Sequence, residues 1–142
     1  MNNEIVILEK INTLPDEIVS YIKKFISIKT LLFLNKTYYI LYHSMIKPHI
    51  LQYENYIRDT IRRDNEFVFE KILNENYKKW LSIKKYNYRN NIFINYVIFT
   101  LYYCNENDSI KCKNTLTNFM EEHGLCKNGH KKNIIKHIRW KN

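Results

Sequence analysis

The chain has 142 residues, 45% of them hydrophobic and 26% charged, with a formal net charge of +9. That length and composition suit one compact domain spanning residues 1–142 and exclude a disordered tail. With two glycines, two prolines and no G-x-S-x-G sequence, the chain can form neither a phosphate-cradling glycine loop nor a nucleophile elbow. Nucleotide-dependent enzymes of the usual kinds and α/β-hydrolases are thereby excluded.

Asn, Ile, Lys, Tyr and Phe supply 77 residues and alanine is absent, the imprint of A/T-rich coding. The charge is uneven: residues 1–66 carry 9 basic and 8 acidic groups, residues 67–142 carry 14 and 6. Residues 1–10 lack a basic n-region and a small-residue cleavage site, so they do not read as a secretory signal. The most apolar run, residues 92–103, is shorter than the roughly 20 residues that cross a bilayer. Three cysteines in such a chain read as reduced thiols. The expected location is intracellular, in the cytoplasm.

Helical periodicity dominates in chain order. Leu14-Pro15-Asp16-Glu17 opens a first helix, with proline in the first turn and two acids at the positive end of the dipole. Ile18, Ile22 and Phe25 or Ile26 follow on one face. Ser27 caps a second helix that carries Ile28, Leu31, Leu32, Leu34 and the aromatic cluster of residues 38–42, and Pro48 ends it. A third helix is expected over residues 49–63 and a fourth over 66–85, capped by Asn65. Residues 87–91 read as a polar connection. Residues 92–104, apolar nearly all round, read as a fifth helix at the centre of a bundle. A sixth, capped by Asp108 or Ser109, ends before Gly124, and residues 131–140 read as a short basic helix. A strand is conceivable only at residues 4–8, and no internal repeat is legible. The expected fold class is all-α.

Residues 14–43 (LPDEIVSYIKKFISIKTLLFLNKTYYILYH) resemble the F-box, a short helical module that docks onto the Skp-type adaptor of cullin ubiquitin ligases. The first-helix match lies in Leu14-Pro15, Asp16-Glu17, Ile18 and Ile22. Leu31, Leu32, Leu34 and Asn35-Lys36 followed by two tyrosines are similar to the module's second half. The spacing of that half is shorter by about three residues, and Asn35 and Tyr38 or Tyr39 stand where the family has Ser and Trp. With its A/T-rich coding, the chain is similar to F-box-like proteins of large (giant) DNA viruses of eukaryotes. The resemblance implies an F-box-like segment over residues 14–48, continuous with a helical bundle over 49–142. It also implies docking of a host Skp-type subunit through Leu14, Pro15, Ile18, Ile22, Leu31, Leu32 and Leu34. No cofactor and no catalytic residue is expected.

Weaker constellations lie outside residues 14–43. His123, Cys126 and His130 have zinc-like spacing, with Cys112 or Cys104 as a fourth ligand, but without a paired C-x2-C knuckle. Cys126 beside His123 or His130 lacks a third group that would make a catalytic set. Asp59, Asp64 and Glu66 interleave with Arg58, Arg62 and Arg63 as on a salt-bridged helix face. Lys127, Lys131, Lys132, Lys136, Arg139 and Lys141, beside Trp140, offer phosphate contacts and a stacking ring. The alternative function is therefore a basic nucleic-acid-binding or virion-associated accessory protein.

Overall fold

A computed structural model describes residues 13–125 and, by their backbone, residues 134–137. The expected strand at residues 4–8 lies outside them. The chain divides into two compact units, Met1–Leu51 and Gln52–Asn142.

In the first unit, α1 (Asp16–Lys23) starts on Pro15, whose extended backbone leads into a first turn holding Asp16 and Glu17. Ser27 then caps α2 (Ile28–Leu32), its side chain accepting the Thr30 N–H at 3.1 Å. The single second helix expected here is two. Asn35 sits in extended backbone and accepts the Tyr38 N–H at 2.9 Å, so α3 (Lys36–Tyr42) starts anew after α2. Two 3-10 turns, His43–Met45 and Lys47–His49, finish the unit. Val19, Leu31, Leu32, Tyr39 and Ile46 are its buried hydrophobic side chains.

The second unit is two helical hairpins and a small antiparallel sheet. α4 (Tyr53–Arg62) and α5 (Glu66–Ser82) form the first hairpin, and both are shorter than the sequence suggests. Asn65 caps α5 as expected, accepting the Val68 N–H at 3.3 Å. Strands β1 (Lys84–Tyr88) and β2 (Asn91–Asn95) follow, then α6 (Tyr96–Glu106) and α7 (Ile110–Glu122).

The segment expected as one helix over residues 92–104 is thus a strand followed by a helix. Its asparagine explains the break: Asn95 in extended backbone accepts the Ile98 N–H at 3.0 Å and starts α6. Residues 87–91, expected as a connection, pair Tyr88 with Asn91 and Asn87 with Ile92 around the tight turn Arg89-Asn90. A third strand, β3 (Ile134–His137), pairs with β2 through Asn91–His137, Ile92–Lys136 and Phe93–Ile134. The short basic helix expected there is corrected at these residues. Two adjacent β-branched residues meet the open edge of β2, and tertiary pairing outweighs a four-residue preference for helix. The fold is predominantly α, with a three-stranded sheet, rather than purely all-α.

α6 is the central helix, packing against α4, α5, α7, β1 and β2. It buries seven side chains, Phe99 among them at 1% exposure. The rings of Tyr86, Tyr88 and Tyr96 stand 4.6, 4.9 and 5.2 Å from that of Phe99, in the tilted and edge-on arrangements aromatic pairs favour.

The two helical hairpins use the same turn. Asp64 and Asp108 hold left-handed backbone (φ 48° and 52°). The next residue in each, Asn65 or Ser109, donates its N–H back to Thr60 O at 3.1 Å or Cys104 O at 3.0 Å. The turns also bond to each other. The Asp64 carboxylate accepts the Cys112 and Lys111 N–H groups at 2.9 and 3.1 Å, and Ser109 Oγ donates to Ile61 O at 2.6 Å. Hence α7 is capped by Asp64, and Ser109 spends its hydroxyl on the end of α4, where the sequence pointed to Asp108 or Ser109 as the cap. Asp64 accordingly stands apart from the salt-bridged face, which is made by Asp59 with Arg62 at 3.5 Å and Arg63 at 2.8 Å.

Burial pushes the Asp64 carboxyl pKa up. The N–H groups of Cys112 and Lys111 and the Lys111 charge outweigh it and hold the carboxyl below its ordinary value. A carboxyl whose folded pKa lies below its unfolded one stabilises fully above the unfolded value, about 3.9, and loses that contribution as pH falls through the folded one. Asp64→Ala is expected to cost about 2 kcal/mol in urea unfolding at pH 7, less than two charge-assisted bonds at full strength because the carboxylate meets water. The difference between wild type and Asp64→Asn should shrink as pH is lowered below about 4.

Candidate docking face

The segment from Leu14 to Ile26, which contains α1, carries two apolar phases. Val19, with Ile22 and Ile26, makes the inward one: Val19 is buried, and the other two are partly buried. Leu14, Ile18, Tyr21 and Phe25, at spacings of four, three and four, make the outward one, exposed by 40, 48, 60 and 75%. Ile18 and Tyr21 share one side of α1, with Leu14 in the bend before the helix and Phe25 in the turn after it. Pro15, Asp16 and Glu17 are exposed beside it. The Tyr21 and Phe25 rings meet edge-on at 5.2 Å, so the outer end is a preformed aromatic pair. Lys23 Nζ lies 5.1 Å from the Tyr38 ring, a cation–π contact that ties α1 to α3.

Of the residues the F-box resemblance implicates, Leu14, Pro15 and Ile18 are exposed together, whereas Ile22 and Leu34 are partly buried. Leu31 and Leu32, at 6 and 0% exposure, belong to the core. They hold the unit together and present no surface. Ile18, Ile22 and Phe25 or Ile26, expected on one face, divide between two: Ile18 and Phe25 are exposed, whereas Ile22 and Ile26 are partly buried. Tyr21 was missed; the heptad-like spacing from Leu14 through Ile18 was its signal. Phe33, Ile40, Leu41 and Met45 are exposed as well. Nine of the ten exposed large hydrophobic side chains among the described residues lie in the first unit, so this exposure is regional, where scattered single residues would need no explanation.

The last third holds less chemistry than its residue types suggest. Cys112 and His123 both lie along α7 and its C-cap, eleven residues apart. That separation is about 16 Å along a helix, so the two cannot ligate one tetrahedral ion. Cys112 is buried; His123 is exposed, stacked on Phe119 at 4.2 Å, with its Nδ1 2.8 Å from Phe119 O. Cys126 and His130 lie outside the described residues. Among the described residues no group of three or more His, Cys, Asp and Glu could hold a metal ion. Of the basic set, Lys136 is in β3, while Lys127, Lys131, Lys132, Arg139 and Lys141 lie outside the described residues. Among the described residues, no helix is long and apolar enough to cross a membrane.

No family model, curated protein or solved structure matches the chain.

Cys104 and Cys112 are 1% exposed or less, and burial pushes both thiols up, Cys104 to about 12. A thiol so raised holds almost no thiolate near neutrality and is inert. Iodoacetamide at pH 8 should leave both cysteines unmodified in the folded protein and alkylate both in urea, as read by peptide mass mapping.

Proposed function

We propose that the protein is a non-enzymatic interaction protein whose α1 face docks onto a protein partner. The F-box resemblance of residues 14–43 makes that partner a Skp-type subunit of a cullin ubiquitin ligase. The observation that carries the reading is the exposed stripe Leu14, Ile18, Tyr21 and Phe25 beside Asp16 and Glu17. Apolar anchors clustered at a helix start stabilise a complex by leaving water together, at about 25 cal/mol for each Å² of apolar surface buried. Two acids at their rim orient the helix in a groove with basic edges. The three short helices among the described residues of the first unit, each begun by a residue the sequence supplies for that purpose, support the same reading. So does the burial of Leu31 and Leu32, which keeps the unit folded while α1 remains presented.

The test is co-expression with a eukaryotic Skp-type adaptor followed by pull-down. Wild type should be captured, with little loss in high salt, because the contact is mainly apolar. Ile18→Asp should be captured at least about tenfold less, as expected for a charge placed in a desolvated hot spot. Its melting temperature should match wild type, since Ile18 is solvent-facing. Failure of wild type to bind, or equal capture of the variant, overturns the proposal.

A further inference from the structure

The second unit holds a notch of about 170 Å³ lined by Arg62 at the end of α4, Tyr88 and Arg89 at the hairpin tip, and Tyr103, Glu106 and Asn107 at the end of α6. Two guanidinium groups and one carboxylate line it, with two phenol rings between helix ends.

Arg89 is in an unusual state. It holds left-handed backbone at φ 52°, where a residue with a Cβ loses about 1–2 kcal/mol and where asparagine or glycine is at ease. Its guanidinium lies 5.3 Å from the Tyr88 ring, and among the described residues it makes no ion pair. Arg58 covers the same ring at 5.7 Å and is itself paired with Glu54 at 3.8 Å, outside the residues that line the notch. Arg62 is 53% exposed and reaches Asp59 at 3.5 Å, a surface pair weak enough to exchange for a better partner. A left-handed residue that lines a cavity with a guanidinium in no ion pair among the described residues is of the kind found where a chain binds something.

We propose that this notch binds the side-chain carboxylate of an acidic peptide. Arg62 and Arg89 clamp the carboxylate as charge-assisted donors. The Tyr88 and Tyr103 rings cover the methylene stem, and Glu106 and Asn107 take the flanking peptide N–H and C=O groups. The lining carries a net charge of +1, which one carboxylate neutralises. A nucleic-acid strand fits less well, because its successive phosphates need a run of cations, whereas the notch offers two, Arg62 and Arg89, beside the Glu106 carboxylate. The site lies wholly in the second unit and does not depend on what α1 docks to, so either proposal can fail alone.

The experiment is a titration of the full ¹⁵N-labelled chain with a glycine-serine pentapeptide carrying a central glutamate, and with its glutamine counterpart. The glutamate peptide should shift the backbone amides of Arg62, Tyr88, Arg89 and Asn107, and the glutamine peptide should not. Arg89→Asn separates binding from folding, because asparagine tolerates the turn: its melting temperature should equal or exceed wild type while affinity falls about tenfold. Absence of shifts at these amides overturns the proposal, as does equal response to both peptides or unchanged affinity in Arg89→Asn. Stronger movement of the same amides by a short oligothymidylate at equal salt also overturns it and makes the notch a nucleic-acid site.

Discussion

The Asp64 carboxylate reaches across to the first turn of α7, and Ser109 returns a hydrogen bond to the last turn of α4. The architecture of the second unit hangs on this exchange. Each helical hairpin leaves backbone groups unsatisfied at its turn, and each turn satisfies those of the other. Fixing the two turns together sets α4 and α6 side by side. The central helix α6 then buries its apolar surface against four other helices and strands besides α7. Two aspartates in left-handed backbone are the local cost, one that aspartate bears better than most residues.

The two units resolve their apolar side chains differently. The second closes around one continuous cluster that runs from Ile57 to Met120, with tyrosine rings as its outer layer. Among its described residues the first, with helices of five to eight residues, buries five hydrophobic side chains and leaves nine large ones exposed. Helices that short have little intrinsic stability, and apolar exposure on that scale is costly for a chain that meets no partner. The α1 stripe and the Arg89 notch also differ in chemistry. One gains from the removal of water, which salt does not weaken; the other rests on partly exposed charge, which salt screens.

Much of the fold is legible residue by residue. Ser27 and Asn65 cap as side chains of their type should, and Gly124, in left-handed backbone (φ 69°), closes α7 where the helical pattern ends. The apolar run at the chain's most hydrophobic point does become the central helix. Less was legible where one asparagine has two uses. Asn35 and Asn95 each divide what reads as a continuous helix, because an asparagine within an apolar period looks like a tolerated polar residue until its backbone turns extended and its side chain caps. The hairpin of β1 and β2 was hidden for a related reason: its turn uses Arg89 where the familiar signal is glycine or asparagine. The sequence also offers α1 two apolar phases of similar strength, and periodicity alone does not say which faces inward.

By itself, the sequence determined the predominantly helical character and the helix starts set by Pro15, Ser27 and Asn65. These follow from local rules, in which a side chain meets its own backbone or a neighbour one turn away. Only the tertiary structure decided that Val19 and not Ile18 is buried, that residues 134–137 add to a sheet, that Asp64 caps a helix forty-seven residues distant, and that Arg62 and Arg89 share a notch. In each of these a residue with several satisfactory local arrangements is held in one by a partner far along the chain, and chain order does not reveal which partner arrives.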